Sequence, residues 1–380
     1  MLNFDSLADD PILHKDRVLF SPSIQPLFKK IATLLDIPWT SIYANDPLNP
    51  TLGIEIEAEN IDPDASWEPL HGIWIQKEDG SLRKGGREYI TIPLQFSALL
   101  KAFQLLATSI PEAKFTHRCS THVHIDVRHM TRSQMVTFIL LYALCEPLLF
   151  AFAGKFRRHN NFCVGIEYTN DLNEMLLTAH HGRIASDNLQ KYAALNILPA
   201  YVSGQDVTRY GTFEFRHLFG TLNAITLMDW CSLILRLRMA AIEIDLSWLI
   251  QKTRYLNVDS SYSILLEKIF KDSLSIFWNY VSINDLPRLL EKHVSRVKQS
   301  VLHHEFSRKL SDTLPEENSQ YLKGLKRMYP HAFKSKITLL PPDPLCVTST
   351  EADLALLHYT WSSTLIETAP LAQEPTEDST

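Results

Sequence analysis

The chain has 380 residues, 45% of them hydrophobic and 21% charged, a balance that suits a packed soluble core in one large domain or two ordinary ones. Only 12 residues are glycine, about 3% against a usual share of about 7%. Neither G-x-G-x-x-G nor G-x-x-x-x-G-K-[ST] occurs, which argues against a Rossmann dehydrogenase and a P-loop NTPase. Lys and Arg number 37 against 43 Asp and Glu, so a net charge of -6 gives no electrostatic reason to expect a nucleic-acid partner. Cys119, Cys145, Cys163, Cys231 and Cys346 are scattered, odd in number and without a C-x-x-C pair. A reducing, cytoplasmic setting is expected from this usage. The start, Met1 to Asp5, is acidic and lacks an apolar run, so no secretory signal is expected.

Residues 1–50 read as a helical preface, with apolar periodicity from Ile24 to Leu35 and a Pro- and Asn-containing loop up to Pro50. Short alternating segments follow and predict strands at Gly53–Glu59, Gly72–Lys77, Arg87–Ile92 and Thr121–Val127. Asp79-Gly80-Ser81 marks the turn between the second and third. An amphipathic helix is predicted over about Leu94–Ile110. Thr131 is an N-cap for a helical stretch reaching about Phe152. Its apolar run, Met135 to Phe152, is interrupted by Glu146-Pro147 and reads as a pair of buried helices rather than a membrane span. Residues 153–207 read as loop with short helix, and Arg157-Arg158-His159 within them as a solvated basic loop. A late strand is predicted at Gly211–Leu218, then helix over Asn223–Gln251, 261–300 and 316–328. The tail, 367–380, has the composition of a disordered segment. Strands, then helices, with one strand returning late, is an α+β pattern with a mostly antiparallel sheet.

Three of these strands carry chemistry on one face, because successive strand residues point to opposite sides. In Gly53-Ile54-Glu55-Ile56-Glu57-Ala58-Glu59 the aliphatic residues share one side and Glu55, Glu57 and Glu59 the other, about 7 Å between neighbours by the strand rise. In His122-Val123-His124-Ile125-Asp126-Val127 the two imidazoles and Asp126 share a face. In Thr212-Phe213-Glu214-Phe215-Arg216-His217 the phenylalanines face the core, while Thr212, Glu214 and Arg216 oppose them. Each string alone also suits a solvated strand face. If the strands share a sheet, the polar sides form a groove with Glu55, Glu57, His122, His124, Glu214 and Arg216. Hard carboxylate donors with few histidines point to Mg²⁺ or Mn²⁺ rather than structural zinc. Mg²⁺ beside an Arg is equipment for phosphoryl chemistry on ATP. Glu88 is a further candidate ligand whose parity matches Ile90 and Ile92, so either a bulge re-aims it or Arg87 and Tyr89 face the groove instead.

The series Gly53-x-Glu55-x-Glu57, Trp74 to Asp79-Gly80-Ser81, Gly86-x-Glu88, Cys119-x-x-His122-Val123-His124-Ile125-Asp126 and Thr212-x-Glu214-Phe215-Arg216 resembles the amidoligase family of the glutamine synthetase and glutamate–cysteine ligase superfamily of carboxylate–amine ligases. The matched span, about Gly53 to Trp230, is under half the chain. The resemblance implies a curved antiparallel sheet forming a catalytic groove with helices on its back. It implies a domain of this kind over 51–250, with a helical region over 251–366 that matches nothing recognisable. It also implies an activity, in which ATP phosphorylates a carboxylate and an amine displaces the phosphate. On that analogy Glu55, Glu57, His122, Glu214 and Glu88 hold the metal ions. Arg216 binds phosphate, His124 lies near the transferred group, and Lys191 is a substrate or phosphate binder. Ser120 stands where the family carries Gly, and Lys191 fills a basic position before Tyr192-x-x-Leu195-Asn196. The expected partners are a small-molecule or peptide carboxylate and an amine, with no nucleic acid and no membrane, and a homo-oligomer is compatible. Two alternatives stay open at this point: a guanidino-type phosphotransferase on the same scaffold, and a non-catalytic nucleotide- or metal-binding module.

Overall fold

The computed structural model describes residues 25–38, 49–61, 72–83, 85–166, 168, 171–182, 184, 189–201, 211–256, 261–278, 280, 290–291 and 293–301. The helix expected at 316–328, the tail at 367–380 and most of the loop before Pro50 lie outside them. All described elements belong to one compact unit, Met1–Lys309.

The sheet has seven strands: β1 (Thr51–Ala58), β2 (Trp74–Glu78), β3 (Arg87–Thr91), β4 (Leu94–Gln95), β5 (Ser120–Asp126), β6 (Leu195–Asn196) and β7 (Thr212–Phe219). Their spatial order is β2-β3-β1-β5-β7-β6, with β4 paired to the start of β1, and every pairing is antiparallel. Alternation decides which face each side chain takes. Ile54, Ile56, Ala58, Val123, Ile125, Phe213 and Phe215 are fully buried in one continuous apolar core. Three helices close that core: α2 (Phe96–Ser109), α3 (Arg132–Ala153) and α5 (Ala224–Glu243), with α1 (Gln25–Leu35) on α2. Phe138 of α3 sits 5.4 Å from Phe213 and 6.0 Å from Phe215, ring centre to ring centre, and Phe215 also meets Trp230 of α5 at 6.4 Å. The architecture is thus α+β, as the strand and helix order predicts.

Thr131 caps α3 with a full capping box, its hydroxyl accepting from Gln134 N and its own N–H donating to the Gln134 amide oxygen. The expected break at Glu146-Pro147 does not occur: α3 is one helix with Pro147 inside it. Such a proline removes one backbone hydrogen bond, and packing on both halves of the helix holds it straight through. Glu146 is not a break but a buried anchor, accepting from the Tyr142 hydroxyl at 2.5 Å and Ile166 N at 3.0 Å, with His293 Nε2 at 2.9 Å. α3 is long and apolar enough to cross a membrane, but 89% of its most apolar window is buried inside the protein. The helical block predicted from Asn223 is two helices, α5 and α6 (Leu246–Tyr255), because Asp245 caps a new start by accepting from Trp248 N at 2.9 Å. α4 (Asp171–His181), α7 (Ser261–Phe270), α8 (Leu274–Trp278) and helix at 293–301 complete the described elements.

Candidate metal and anion centre on the polar face of the sheet

The opposite face of the sheet carries the predicted polar residues, and register brings them together. Glu55 pairs across with His122, Gly53 with His124, and His124 with Glu214 on the next strand. On the other side of β1, Glu57 pairs with Glu88. The result is a band of carboxylates and imidazoles across β3, β1, β5 and β7. It is a buried band rather than an open strand face: Glu57, His122, His124, Glu214 and Arg216 are each at most 9% exposed.

Three overlapping sets of donor atoms lie close enough to share an ion: Glu55 with His124 and Glu214, Glu55 with Glu88 and His122, and Glu57 with Asp79 and Glu88. Within each set the atoms are within 4.8 Å of one another. Glu55 is the centre. Its Oε2 lies 3.0 Å from His122 Nδ1 and its Oε1 3.2 Å from His124 Nε2. His122 Nδ1 is also 3.4 Å from Glu214 Oε1. Asp79 joins the third set, although sequence reasoning used it as a turn marker and as part of the family motif and not as a metal ligand. It does make that turn, accepting from Ser81 N at 2.7 Å.

Glu88 joins the band without a bulge, since β1 and β3 pair in unbroken register from Glu55–Ile90 to Ala58–Arg87. The expectation that Glu88 shares the core side, or that Arg87 and Tyr89 take the groove, is therefore corrected. Tyr89 is fully buried in the core and Glu88 shares the polar side with Ile90. Glu59 and Asp126, on the same faces, are used locally. Glu59 accepts from Arg83 N at 2.8 Å, and Asp126 is paired with Arg128.

A layer of partners fixes these groups. The Ser120 hydroxyl lies 2.6 Å from Glu57 Oε2 and 2.8 Å from His122 Nε2, while Ser120 N donates to the same carboxylate at 2.8 Å. A carboxylate only accepts, so the hydroxyl donates to Glu57 and accepts from His122 Nε2–H. That arrangement turns His122 Nδ1 toward Glu55 and Glu214. Thr212 Oγ1 meets His124 Nδ1 at 2.9 Å and leaves Nε2 on the Glu55 side. Asn196 of β6 donates to Glu214 Oε2 at 2.7 Å. Parity alone puts Ser120 and Thr212 on the polar side, but β6 is two residues long and carries no readable alternation. Gly220, just past β7, packs so closely that an added Cβ would fall 2.7 Å from Cys119 Cβ and 3.0 Å from Glu57 O. Cys119 itself is a buried core residue whose thiol burial pushes up.

Electrostatics sort the acids. Burial works to raise the Glu55 carboxyl, but the charges and hydrogen bonds of His124 and His122 outweigh it and hold it well below the ordinary value. Burial, then the charges of Glu55, Glu57 and Asp79, push Glu88 up to about 8. His124 is opposed by burial, yet Glu55 and Glu214 raise it above the ordinary imidazole value. Arg216 is ion-paired with Glu214, donates from Nε to Phe162 O at 3.1 Å, and stands 5.8 Å from the Tyr192 ring centre. Lys191 is exposed, with Nζ 5.7 Å from the centre of that same ring.

No protein-family model and no curated protein matches the chain. Among solved structures it is similar to a bifunctional glutathione synthetase from Pasteurella multocida, at 10% identity and a TM-score of 0.36, over 75% of this chain and 51% of that one. It is also similar to a novel glutamine synthase homologue, at 12% identity and a TM-score of 0.30, over 80% of this chain and 75% of that one. The chain thus spans about half the length of the glutathione synthetase it matches.

Proposed function

We propose that this chain is an ATP- and Mg²⁺-dependent carboxylate–amine ligase, forming an amide bond through an acyl phosphate. The observation that carries the reading is the run of three donor sets linked through Glu55 and Glu88, with Arg216 paired to Glu214 of the set that also holds Glu55 and His124. The residues fit divalent ions on two counts. The donors are carboxylates and imidazole nitrogens, one of them turned inward by the Ser120 hydroxyl, the kind of outer partner that orients metal-binding histidines. Four acids also crowd together: burial first, and then the charges of Glu55, Glu57 and Asp79, lift Glu88 to about 8, and cations would relieve the repulsive part.

Glu55, Glu57, Glu88, His122 and Glu214 would hold Mg²⁺ or Mn²⁺, which when bound supplies charge neutralisation for a polyphosphate. Arg216 would exchange Glu214 for phosphoryl oxygens, which its planar donors match in pairs. His124, its imidazole raised above the ordinary value, would donate a hydrogen bond to the transferred group. The substrate carboxylate oxygen attacks the terminal phosphorus and ADP leaves. The amine nitrogen then attacks the acyl carbon, the carbon–oxygen bond to phosphate breaks, and the nitrogen gives up its proton. Lys191 and Tyr192 would meet substrate at the rim. A reducing cytoplasmic setting accords with the four free, buried cysteines among the described residues.

The test is ADP release against a panel of acids and amines with Mg²⁺, wild type beside Glu57→Ala. Turnover that needs both an acid and an amine, and is lost in the variant, supports the ligase. Equal turnover in both proteins contradicts it, and phosphorylated acceptor without amide favours the phosphotransferase.

A further inference from the structure

Arg157 was expected in a solvated basic loop, and the structure corrects that: it is 1% exposed. α3 stops at Gly154, where φ is +93°, and the chain turns into a short 3₁₀ helix, Lys155–His159, that carries Arg157 under the sheet. There its Nε donates to His217 O at 2.8 Å and its Nη2 to Arg216 O at 2.7 Å. Its hydrogen bonds all go to neutral groups, two main-chain carbonyls and the Cys163 thiol, while the charge of Glu57 favours its charged form and that of Arg216 opposes it. Burying a guanidinium whose hydrogen bonds all go to neutral groups costs free energy, so its position calls for a use.

Strand register supplies one. Thr121 pairs with Leu218 and Val123 with Phe215, so one residue of β5, His122, faces two of β7, Arg216 and His217. That is a β-bulge, a device that re-aims side chains beside functional sites. The two carbonyls held by Arg157 are those of the two bulge residues. The same loop holds the other end of Arg216, because Phe162 O accepts from Arg216 Nε at 3.1 Å. The main chain of residue 216 is thus held by Arg157 and its side chain by Phe162.

We propose that Arg157 is a positioning residue, a buried fork that sets the bulge in β7 and so aims Arg216 at the anion end of the site. It touches neither substrate nor metal donors and acts through Arg216. Its catalytic consequence rests on the ligase reading above, whereas its effect on Arg216 does not.

Two measurements test it. Arg157→Lys keeps the charge but not the planar fork. By NMR, the Arg216 Nε–H signal, assigned by its loss in Arg216→Lys, is expected to exchange with solvent about tenfold faster or more in Arg157→Lys. Unchanged exchange overturns the proposal. In a double-mutant cycle on ADP release, Arg157→Lys is expected to lower kcat about 100-fold, the size seen for misplacement of a reacting group. It leaves Mg²⁺ affinity unchanged and has no further effect in an Arg216→Ala background. Equal losses in both backgrounds mean a general structural role and overturn the proposal. If wild type releases no ADP with any pair, the ligase reading fails while the exchange measurement still decides the positioning role. If Arg157→Lys does not fold, Arg157→Gln, which keeps one amide donor group, is read in the same two ways.

Discussion

The Ser120 hydroxyl is the smallest group whose removal tests how His122, a proposed metal donor, is held. Ser120→Ala deletes a donor to Glu57 at 2.6 Å and an acceptor for His122 Nε2 at 2.8 Å, both buried. Glu57 keeps the Ser120 backbone N–H at 2.8 Å, so it loses one of two donors. His122 Nε2 is left with Glu57 Oε1 at 4.0 Å, beyond hydrogen-bond reach. A bond to a charged group contributes about 1.5–3 kcal/mol and a stranded buried N–H costs about 1–3 kcal/mol. Shared between one lost and one retained donor on Glu57, the expected destabilisation is about 2–4 kcal/mol. Ser120→Gly should cost about 0.5–1 kcal/mol more, from the extra backbone freedom of glycine in a strand. Urea unfolding followed by circular dichroism measures both. With His122 free to turn, Mn²⁺ affinity by calorimetry should weaken about 10- to 100-fold, the usual effect of losing an outer partner. A loss below about 0.5 kcal/mol together with unchanged Mn²⁺ affinity would refute the claim that this hydroxyl orients His122.

The remaining predictions concern acid, base and packing. Glu88 has a folded value raised to about 8 against an ordinary 4.5, so its contribution to stability is complete below 4.5 and lost as pH rises through about 8. The metal-free protein should therefore lose stability over that window, and Glu88→Gln should flatten the profile in urea titrations at several pH values. His217, fully buried and flanked by Arg157, is lowered to about 3, burial being the larger cause. Here the unfolded state binds the proton first, so stability falls as pH drops from about 6.5 toward 3, by about 1.4 kcal/mol per unit. His217→Gln should remove that slope, and an unchanged slope would contradict the assignment. Phe215→Ala empties a fully buried site between Phe138, Tyr142 and Trp230, and should cost about 3–5 kcal/mol in the same assay.

Alternation made the centre of the site legible. Glu55, Glu57, His122, His124, Glu214 and Arg216 could be placed on one face because each alternates with residues that are fully buried on the other. The strand phase of β3 was harder. Ile90 looks like core and Tyr89 like surface, yet the Tyr89 ring is buried and Ile90 borders the acids. An amphipathic ring carries no clear sign of its side. Arg157 was illegible for a different reason. Its partners, Arg216 and His217, lie 59 and 60 positions away, and the bulge they form breaks no sequence pattern. Glu146-Pro147 was misread as a break because a buried Glu needs partners that only folding supplies, here Tyr142, Ile166 and His293. The short strands β4 and β6 went unseen, since two residues show no period.

The scarcity of glycine fits a site of this kind. On the proposed reading its anion-binding groups would be side chains on sheet strands, Arg216 foremost, rather than backbone amides of a flexible loop. The measurement that tests this most directly is a crystal structure with Mn²⁺ and a non-hydrolysable ATP analogue, read through the anomalous signal of the metal. The account predicts manganese peaks among Glu55, Glu57, Glu88, His122 and Glu214, and Arg216 parted from Glu214 to bind the polyphosphate. Nucleotide bound elsewhere, or manganese absent from these carboxylates with Arg216 still on Glu214, would contradict it.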